Sequence, residues 1–111
     1  MPKKTRPYSR YAKEAAVLLG QLIHQARTDR KMTTQELAER VGLSRGLLRR
    51  IENGDLGCTL GAVFETASVV GVRLFDADEA KMMIAVNERT PFMALLPKAI
   101  RMPRVKVDDD F

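Results

Sequence analysis

The sequence predicts an all-α protein, and three observations lead to that class. Apolar residues recur at helical spacings of three and four in five separate segments. Side chains that cap helices precede these segments, and glycines follow several of them. The one β-prone run is VRLF, residues 72–75. We therefore expect five helices, a short strand near 72–75, and flexible N- and C-terminal arms.

The first helix is expected from about Ser9 to Arg30, and Lys31 with Met32 ends it. Its apolar stripe is formed by Ala15, Leu19, Ile23 and Ala26 and is widened by Leu18 and Leu22. Spacings of three and four residues place these side chains on one face of a helix, and that face is expected to enter the core.

Two short helices follow, joined by a turn. Thr33 caps the second helix, and Glu36, three residues later, completes a capping box. Gly42 is expected at its C-terminus in the left-handed conformation, which costs glycine least. Ser44 caps the third helix, and Gly54 stops it. The inward residues of the pair are Leu37, Ala38, Val41, Leu43, Leu48 and Ile51.

Two further helices are expected in the second half of the chain. Thr59 caps the fourth helix and Gly71 closes it. One face of this helix carries Leu60, Val63, Phe64, Ala67 and Val70. Asp76 and Glu79 open the fifth helix, which we expect to end before Pro91, because proline breaks a helix interior. The run FMALLP, residues 92–97, adds an apolar turn.

Charge is distributed unevenly along the chain. Residues 1–50 carry twelve Lys/Arg against four Asp/Glu, whereas residues 51–111 carry seven against ten. A basic half predicts a polyanionic partner such as nucleic acid, and a well-solvated surface is the alternative. The N-terminal arm contributes Lys3, Lys4, Arg6 and Arg10, which either follow DNA phosphates or form a solvated tail.

Several classes of protein are not expected from this composition. Cys58 is the only cysteine and His24 the only histidine, so neither a disulfide nor a His/Cys metal cluster is expected, which suits a reducing cytoplasm. No apolar run approaches the roughly 20 residues that a membrane span needs. Catalytic triads and glycine-rich phosphate loops do not occur in the sequence. We therefore expect no enzyme, cofactor, metal or membrane partner.

The second and third helices together have the pattern of a helix-turn-helix. In this motif two short helices are joined by a glycine-containing turn, and the second helix can enter a DNA major groove. With Leu48 and Ile51 inward, the other side of the third helix carries Arg45, Gly46, Arg49, Arg50 and Asn53. An arginine can bond guanine O6 and N7 together, which contributes about 1–3 kcal/mol of discrimination.

The block from Met32 to Gly54 resembles the phage-repressor-like, or XRE-type, helix-turn-helix family. The resemblance extends over about residues 15–75 and includes IENG at 51–54 and TLGAVFETASVVGV at 59–72. It implies a five-helix, repressor-like DNA-binding domain in the bacterial cytoplasm, at the nucleoid. We divide the chain into a basic arm at 1–10, the helix-turn-helix domain at 11–75, a helical extension at 76–96 and a flexible tail at 97–111.

The resemblance also implies roles for single residues. It implies base contacts from Arg45, Gly46, Leu47 and Arg50. It implies phosphate contacts from Thr34, Ser44, Arg49 and Asn53, with solvated surface as the alternative for Arg49. Arg27 and Glu52 are expected to form a structural ion pair rather than a DNA contact. Thr34 departs from the family, which often has Gln there, and Gly46 brings no side chain to a base-reading position.

The extension and tail suggest protein partners. Members of the family bind pseudo-palindromic operators as homodimers, and VRLF with Met83, Val86, Phe92 and Leu95 is the candidate contact. Alternatively, the fifth helix covers its own core. The stretch GDLGCTLGAVFETASVVGVRLFDADEA, residues 54–80, and the ending LLPKAIRMPRVKVDDDF resemble HipB-like antitoxins encoded beside HipA-type Ser/Thr kinase toxins. This implies an antitoxin that represses its own operon, with a partner-binding tail of Asp108, Asp109, Asp110 and Phe111. The alternative is a stand-alone XRE-type or phage-type regulator.

Overall fold

A computed structural model describes residues 7–98 of the chain and contains five α-helices in that range. They are α1 (Arg10–Asp29), α2 (Thr34–Val41), α3 (Arg45–Glu52), α4 (Leu60–Val70) and α5 (Glu79–Ala94). The first four lie in one compact unit that extends to Asp76, and α5 lies in a second unit that starts at Ala77. The predicted all-α class with five helices is thus confirmed.

Helix α1 begins at its Ser9 cap, whose Oγ accepts a hydrogen bond from the Ala12 N–H at 3.1 Å. Of the predicted stripe, Ile23 is fully buried and Leu19 and Ala26 pack against the core, but Ala15 is exposed. Leu18 and Leu22 are 56% and 43% exposed, and Gly20 and Arg27 are buried in addition to Ile23. Gly20 lies against the backbone of α3, and this close approach turns α1 away from the leucine side that hydropathy favoured.

The turn between α2 and α3 has the predicted local structure. Thr33 Oγ1 accepts from the Glu36 N–H at 3.0 Å, and the Thr33 N–H donates to Glu36 Oε1 at 2.8 Å, which completes the capping box. Gly42 has φ +83°, so it takes the left-handed conformation expected at the end of α2. Ser44 then caps α3 by accepting from the Leu47 N–H at 3.0 Å.

The core of the first unit is small and lies between the first four helices. Its buried apolar residues are Ile23, Leu37, Ala38, Leu48, Ile51, Ala67 and Val70. Ala38 is among them, which confirms the inward position that the sequence predicted for it. Two residues of α4 differ from the prediction: Leu60 is exposed, and Thr66 is fully buried. The Thr66 hydroxyl donates to the Ala62 carbonyl at 2.7 Å, which satisfies this buried polar group.

The segment after α4 turns where the sequence predicted a short strand. Gly71 closes α4 with φ +83°, and Leu74 forms only an isolated β-bridge. Phe75 and Asp76 then take φ values of +54° and +60°. Extended backbone cannot continue through two left-handed residues, so the strand is reduced to this bridge. The Phe75 ring packs edge-on against Phe64, with 6.4 Å between ring centroids.

The second unit is built on α5, whose limits differ from the prediction at both ends. Asp78, rather than Asp76, caps the helix by accepting from the Lys81 N–H at 2.8 Å. The helix also continues through Pro91 to Ala94, so the expected end before Pro91 was wrong. Pro91 lacks the N–H that would donate to the Asn87 carbonyl, and α5 continues for three residues beyond it. None of the side chains of α5 is buried.

No helix in the described part of the chain is long and apolar enough to cross a bilayer. Lys3, Lys4 and Arg6 of the expected arm, and the expected tail contacts Asp108, Asp109, Asp110 and Phe111, lie outside the described residues.

Candidate nucleic-acid interface

Helix α3 is buried along one side and exposes a polar strip, here called the outer strip, along the other. Successive side chains are about 100° apart around a helix, and Leu48 and Ile51 point into the core. The opposite direction is occupied by Gly46 and Asn53. Arg45 and Arg49 flank these two on one side, and Arg50 flanks them on the other. All five outer residues are exposed: Arg45, Gly46, Arg49, Arg50 and Asn53.

Ser44 and Leu47, at the start of α3, each make a contact within the protein that limits what they can offer to a ligand. Ser44 Oγ accepts the capping hydrogen bond from Leu47, but its hydroxyl hydrogen remains able to donate to an anion. Leu47 is partly buried and packs against the core cluster, so it offers only part of its side chain to the outside.

A surface pocket of about 560 Å³ lies beside the outer strip and is lined by three of the four residues expected to bind phosphate. Thr34 from α2, Arg49 from α3, and Asn53 at the C-terminal cap of α3 all line this pocket, whereas Ser44 does not. Gln21 and His24 of α1 line it as well, and the sequence analysis did not single them out as site residues. Their spacing of three residues, continued by Arg27, is the signal that places a polar ridge of α1 next to α3.

The floor of this pocket is an ion pair between α1 and α3. Arg27 Nε donates to Glu52 Oε2 at 2.7 Å, and Arg27 Nη2 donates to Glu52 Oε1 at 3.1 Å. Arg27 Nη1 also donates to the Met32 carbonyl at 2.9 Å, so the guanidinium ties α1 to the start of the α2 segment. Both side chains are at most 10% exposed. The pair therefore fixes the height and tilt of α3 relative to α1.

His24 extends this ion pair to the pocket surface. Its Nδ1 lies 2.8 Å from Glu52 Oε1 and 3.1 Å from Arg27 Nη2, and its side chain is half exposed. Burial by itself raises the pKa of Glu52, but the hydrogen bonds from Arg27 and His24 outweigh it, so the pKa is lowered. Glu52 also raises the pKa of Arg27, mainly through their hydrogen bond. The Glu52 carboxylate is thus held ionised between two nitrogen donors.

The other side of the strip is occupied by a second, more exposed pair. Arg50 Nε donates to Asp55 Oδ2 at 2.8 Å, and the Gly57 N–H donates to Asp55 Oδ1 at 2.7 Å. The hydrogen bond with Asp55 raises the pKa of Arg50. Asp55 was not singled out from the sequence, because a spacing of five residues joins side chains only after Gly54, with φ +79°, turns the chain back.

An apolar groove of about 400 Å³ lies between α1, α4 and the loop that joins α3 to α4. Cys58 lines the groove together with Ala12, Ala16, Leu19, Val63 and Phe64. Burial raises the pKa of the Cys58 thiol and so disfavours the thiolate, which is the nucleophilic form. In residues 7–98 no group of three or more His, Cys, Asp and Glu side chains could hold a metal ion.

Comparison with known proteins supports the identity of the α2–α3 pair. Residues 18–79 match the family model described as a helix-turn-helix domain. The matched residues make up more than half of the chain and include all of α2, α3 and α4. No curated protein and no solved structure matches the chain.

Proposed function

The chain belongs to the helix-turn-helix domain family, and on that premise we propose that it is a sequence-specific transcriptional repressor. The observation that carries the proposal is the outer strip of α3, which exposes three arginines while the other edge of the helix buries Leu48 and Ile51. A helix of eight residues, held on one edge only, fits a major groove about 12 Å wide.

We assign the contacts in two classes, because phosphate contacts position a protein and base contacts give specificity. The base-reading residues are Arg45, Gly46, Leu47 and Arg50. The phosphate-binding residues are Thr34, Ser44, Arg49 and Asn53. Support for the second class comes from the shared pocket of Thr34, Arg49 and Asn53, in which a cationic, a hydroxyl and an amide donor face one space.

We propose that the protein binds a pseudo-palindromic operator as a homodimer through α5. Met83, Ile84, Phe92 and Leu95 of this segment are all more than half exposed. Apolar side chains lie on several sides of α5, and a helix of that kind is usually buried. A second copy would cover them and present two α3 helices to half-sites about 34–36 Å apart.

For the biological role we propose the antitoxin of a type II toxin–antitoxin pair, which represses its own operon and binds a HipA-like Ser/Thr kinase toxin. The support is the resemblance of residues 95–111, in which a basic stretch is followed by three aspartates and one phenylalanine. The three aspartates offer negative charge to a partner, and Phe111 offers one aromatic anchor. A stand-alone XRE-type or phage-type regulator, without a toxin, is the alternative.

Two experiments test these proposals separately. Selection of double-stranded DNA from a random pool by the purified chain should return a two-fold symmetric consensus. Recovery of unrelated sequences contradicts a sequence-specific repressor. A tagged chain should also capture a stoichiometric kinase-sized protein from its native cells, and deletion of residues 98–111 should abolish capture while operator binding persists. Capture of DNA alone favours the stand-alone regulator.

A further inference from the structure

We propose that Asp55 fixes the guanidinium of Arg50 so that it reads one base pair, which makes Asp55 and Gly57 specificity-determining residues of the interface. This inference rests on the proposed function, because it concerns how the same surface discriminates between DNA sequences. It adds two residues outside α3 that the helix-turn-helix pattern does not assign.

The first support is the edge of the guanidinium that Asp55 occupies. Arg50 Nε donates to Asp55 Oδ2 at 2.8 Å, so the carboxylate lies on the side edge of the planar group. A guanidinium carries five N–H donors in a fixed fork. The contact at Nε does not use the end of the fork, where Nη1 and Nη2 each present one N–H as a pair suited to guanine O6 and N7.

The second support is that Asp55 is itself held by the backbone. Its Oδ1 accepts from the Gly57 N–H at 2.7 Å, two residues further along the chain. A Cβ on Gly57 would lie 3.1 Å from Asp55 Oδ1 and 3.2 Å from Arg50 Nη2. The loop backbone therefore packs closely against both charged groups, and a Cβ at this position would require the two side chains to shift by a few tenths of an ångström. The Asp55 carboxylate is thus held in position by a backbone hydrogen bond.

The third support is that the Arg50–Asp55 ion pair contributes little to the stability of the fold. Its side chains are 51% and 39% exposed, and ion pairs with such exposure contribute little to stability. A carboxylate next to a DNA-binding arginine also repels phosphates, so it weakens non-specific binding. A carboxylate at this position has a functional role if it orients the Arg50 guanidinium toward a base. Gly46, one helical turn before Arg50, leaves open space where its Cβ would be, so DNA can approach this arginine closely.

The test compares variants on one probe, a pool of double-stranded DNA with a random core of about two helical turns, roughly 20 base pairs. Arg50→Ala should reduce the preference at one position of each half-site by roughly 5- to 150-fold. Asp55→Asn should reduce the base preference at the same position by a smaller factor and leave the preference at the other positions unchanged. Binding of Asp55→Asn to unselected DNA should be equal to that of wild type or tighter, because a negative charge has been removed.

Gly57→Ala provides a second variant that keeps every charge. It should flatten the same position, because the added Cβ displaces the guanidinium, and circular dichroism should confirm that both variants fold. Glu65→Gln is the matched control, since it removes one exposed carboxylate from α4 and should leave the base preference unaltered.

The outcomes separate this inference from the proposed function. A wild-type consensus that Asp55→Asn and Gly57→Ala both leave unchanged overturns the role of Asp55 alone. A loss spread equally over all positions overturns it too, since it indicates a disturbed fold. If the wild-type chain selects no consensus at all, the proposed repressor function fails and this inference fails with it.

Discussion

Gly20 of α1 lies directly against Ile51 of α3: a Cβ on Gly20 would be 2.6 Å from the Ile51 carbonyl oxygen. The neighbouring Glu52 carbonyl oxygen would be equally close, at 2.6 Å. Both obstructing atoms belong to backbone, which cannot rotate away as a side chain would. The absence of a single methyl group thus decides how closely α3 packs on α1, and with it how the arginine strip is presented.

Gly20→Ala should destabilise the protein by about 1–3 kcal/mol, because overpacking against backbone forces the helices apart. This loss exceeds the roughly 0.5–1 kcal/mol that alanine gains over glycine inside a helix. Urea denaturation measures the difference. Gly46→Ala is the matched control: its Cβ meets nothing within 4 Å, so stability should rise. Equal stability of wild type and Gly20→Ala would contradict the close approach.

Ionisation of the Glu52 carboxylate should make the free energy of unfolding depend on pH in the acidic range. Its pKa is lowered in the folded state, so below its ordinary value of about 4.5 the unfolded chain binds more protons. The stabilisation is fully present above that value and is lost as pH falls through the lower, folded-state pKa. Glu52→Gln should therefore be less stable than wild type near pH 7, and the gap should narrow in acid. A gap that stays constant from neutral to acidic pH would refute this role.

Replacing Arg45 and Arg50 together by alanine should abolish sequence discrimination while the fold remains intact. Each bidentate arginine–guanine contact contributes about 1–3 kcal/mol, and neither side chain belongs to the core. Fluorescence anisotropy with the selected operator and a scrambled duplex measures the ratio of the two affinities. Arg73→Ala, which removes a positive charge outside α3, should preserve the ratio. An unchanged ratio in the double variant would show that other residues read the bases.

Arg49→Ala should weaken binding to every sequence by a similar factor, since a phosphate contact carries no base information. Each neutralised phosphate contributes about −0.9 to the slope of log K against log salt, so the slope should become shallower by about that amount. Titrations at several salt concentrations measure it, with Arg50→Ala as the comparison variant. A loss confined to the operator would move Arg49 from the phosphate class to the base-reading class.

Features of the fold that depend on residues close in sequence were predicted correctly. The hydroxyls of Thr33, Ser44 and Thr59 accept from N–H groups three residues later, and that spacing is visible in the chain itself. The inward positions of Leu48 and Ile51 also follow from helical periodicity alone. These local rules located the motif and its exposed arginines.

Residues that depend on distant neighbours were missed or misplaced. Gly20 looks like an ordinary helix-weakening glycine until α3 is brought against it. Leu18 and Leu22 satisfy helical spacing, yet that close approach turns them outward. Asp55 reaches Arg50 only through the reversal at Gly54, so no periodicity reveals the pair. What hydropathy cannot supply is the rotation of one helix about its own axis.

Helix α5 has a consequence for how this protein exists at different concentrations. Its sixteen residues include none that is buried, and an isolated helix of that length is only marginally stable in water. Its helical content therefore depends on whatever covers its apolar side chains, and by mass action on how much of that partner is present. In the proposed homodimer the partner is a second copy of α5, so dilution should lower the helical content of α5. The concentration of the protein would then determine whether the proposed dimer engages both half-sites of an operator.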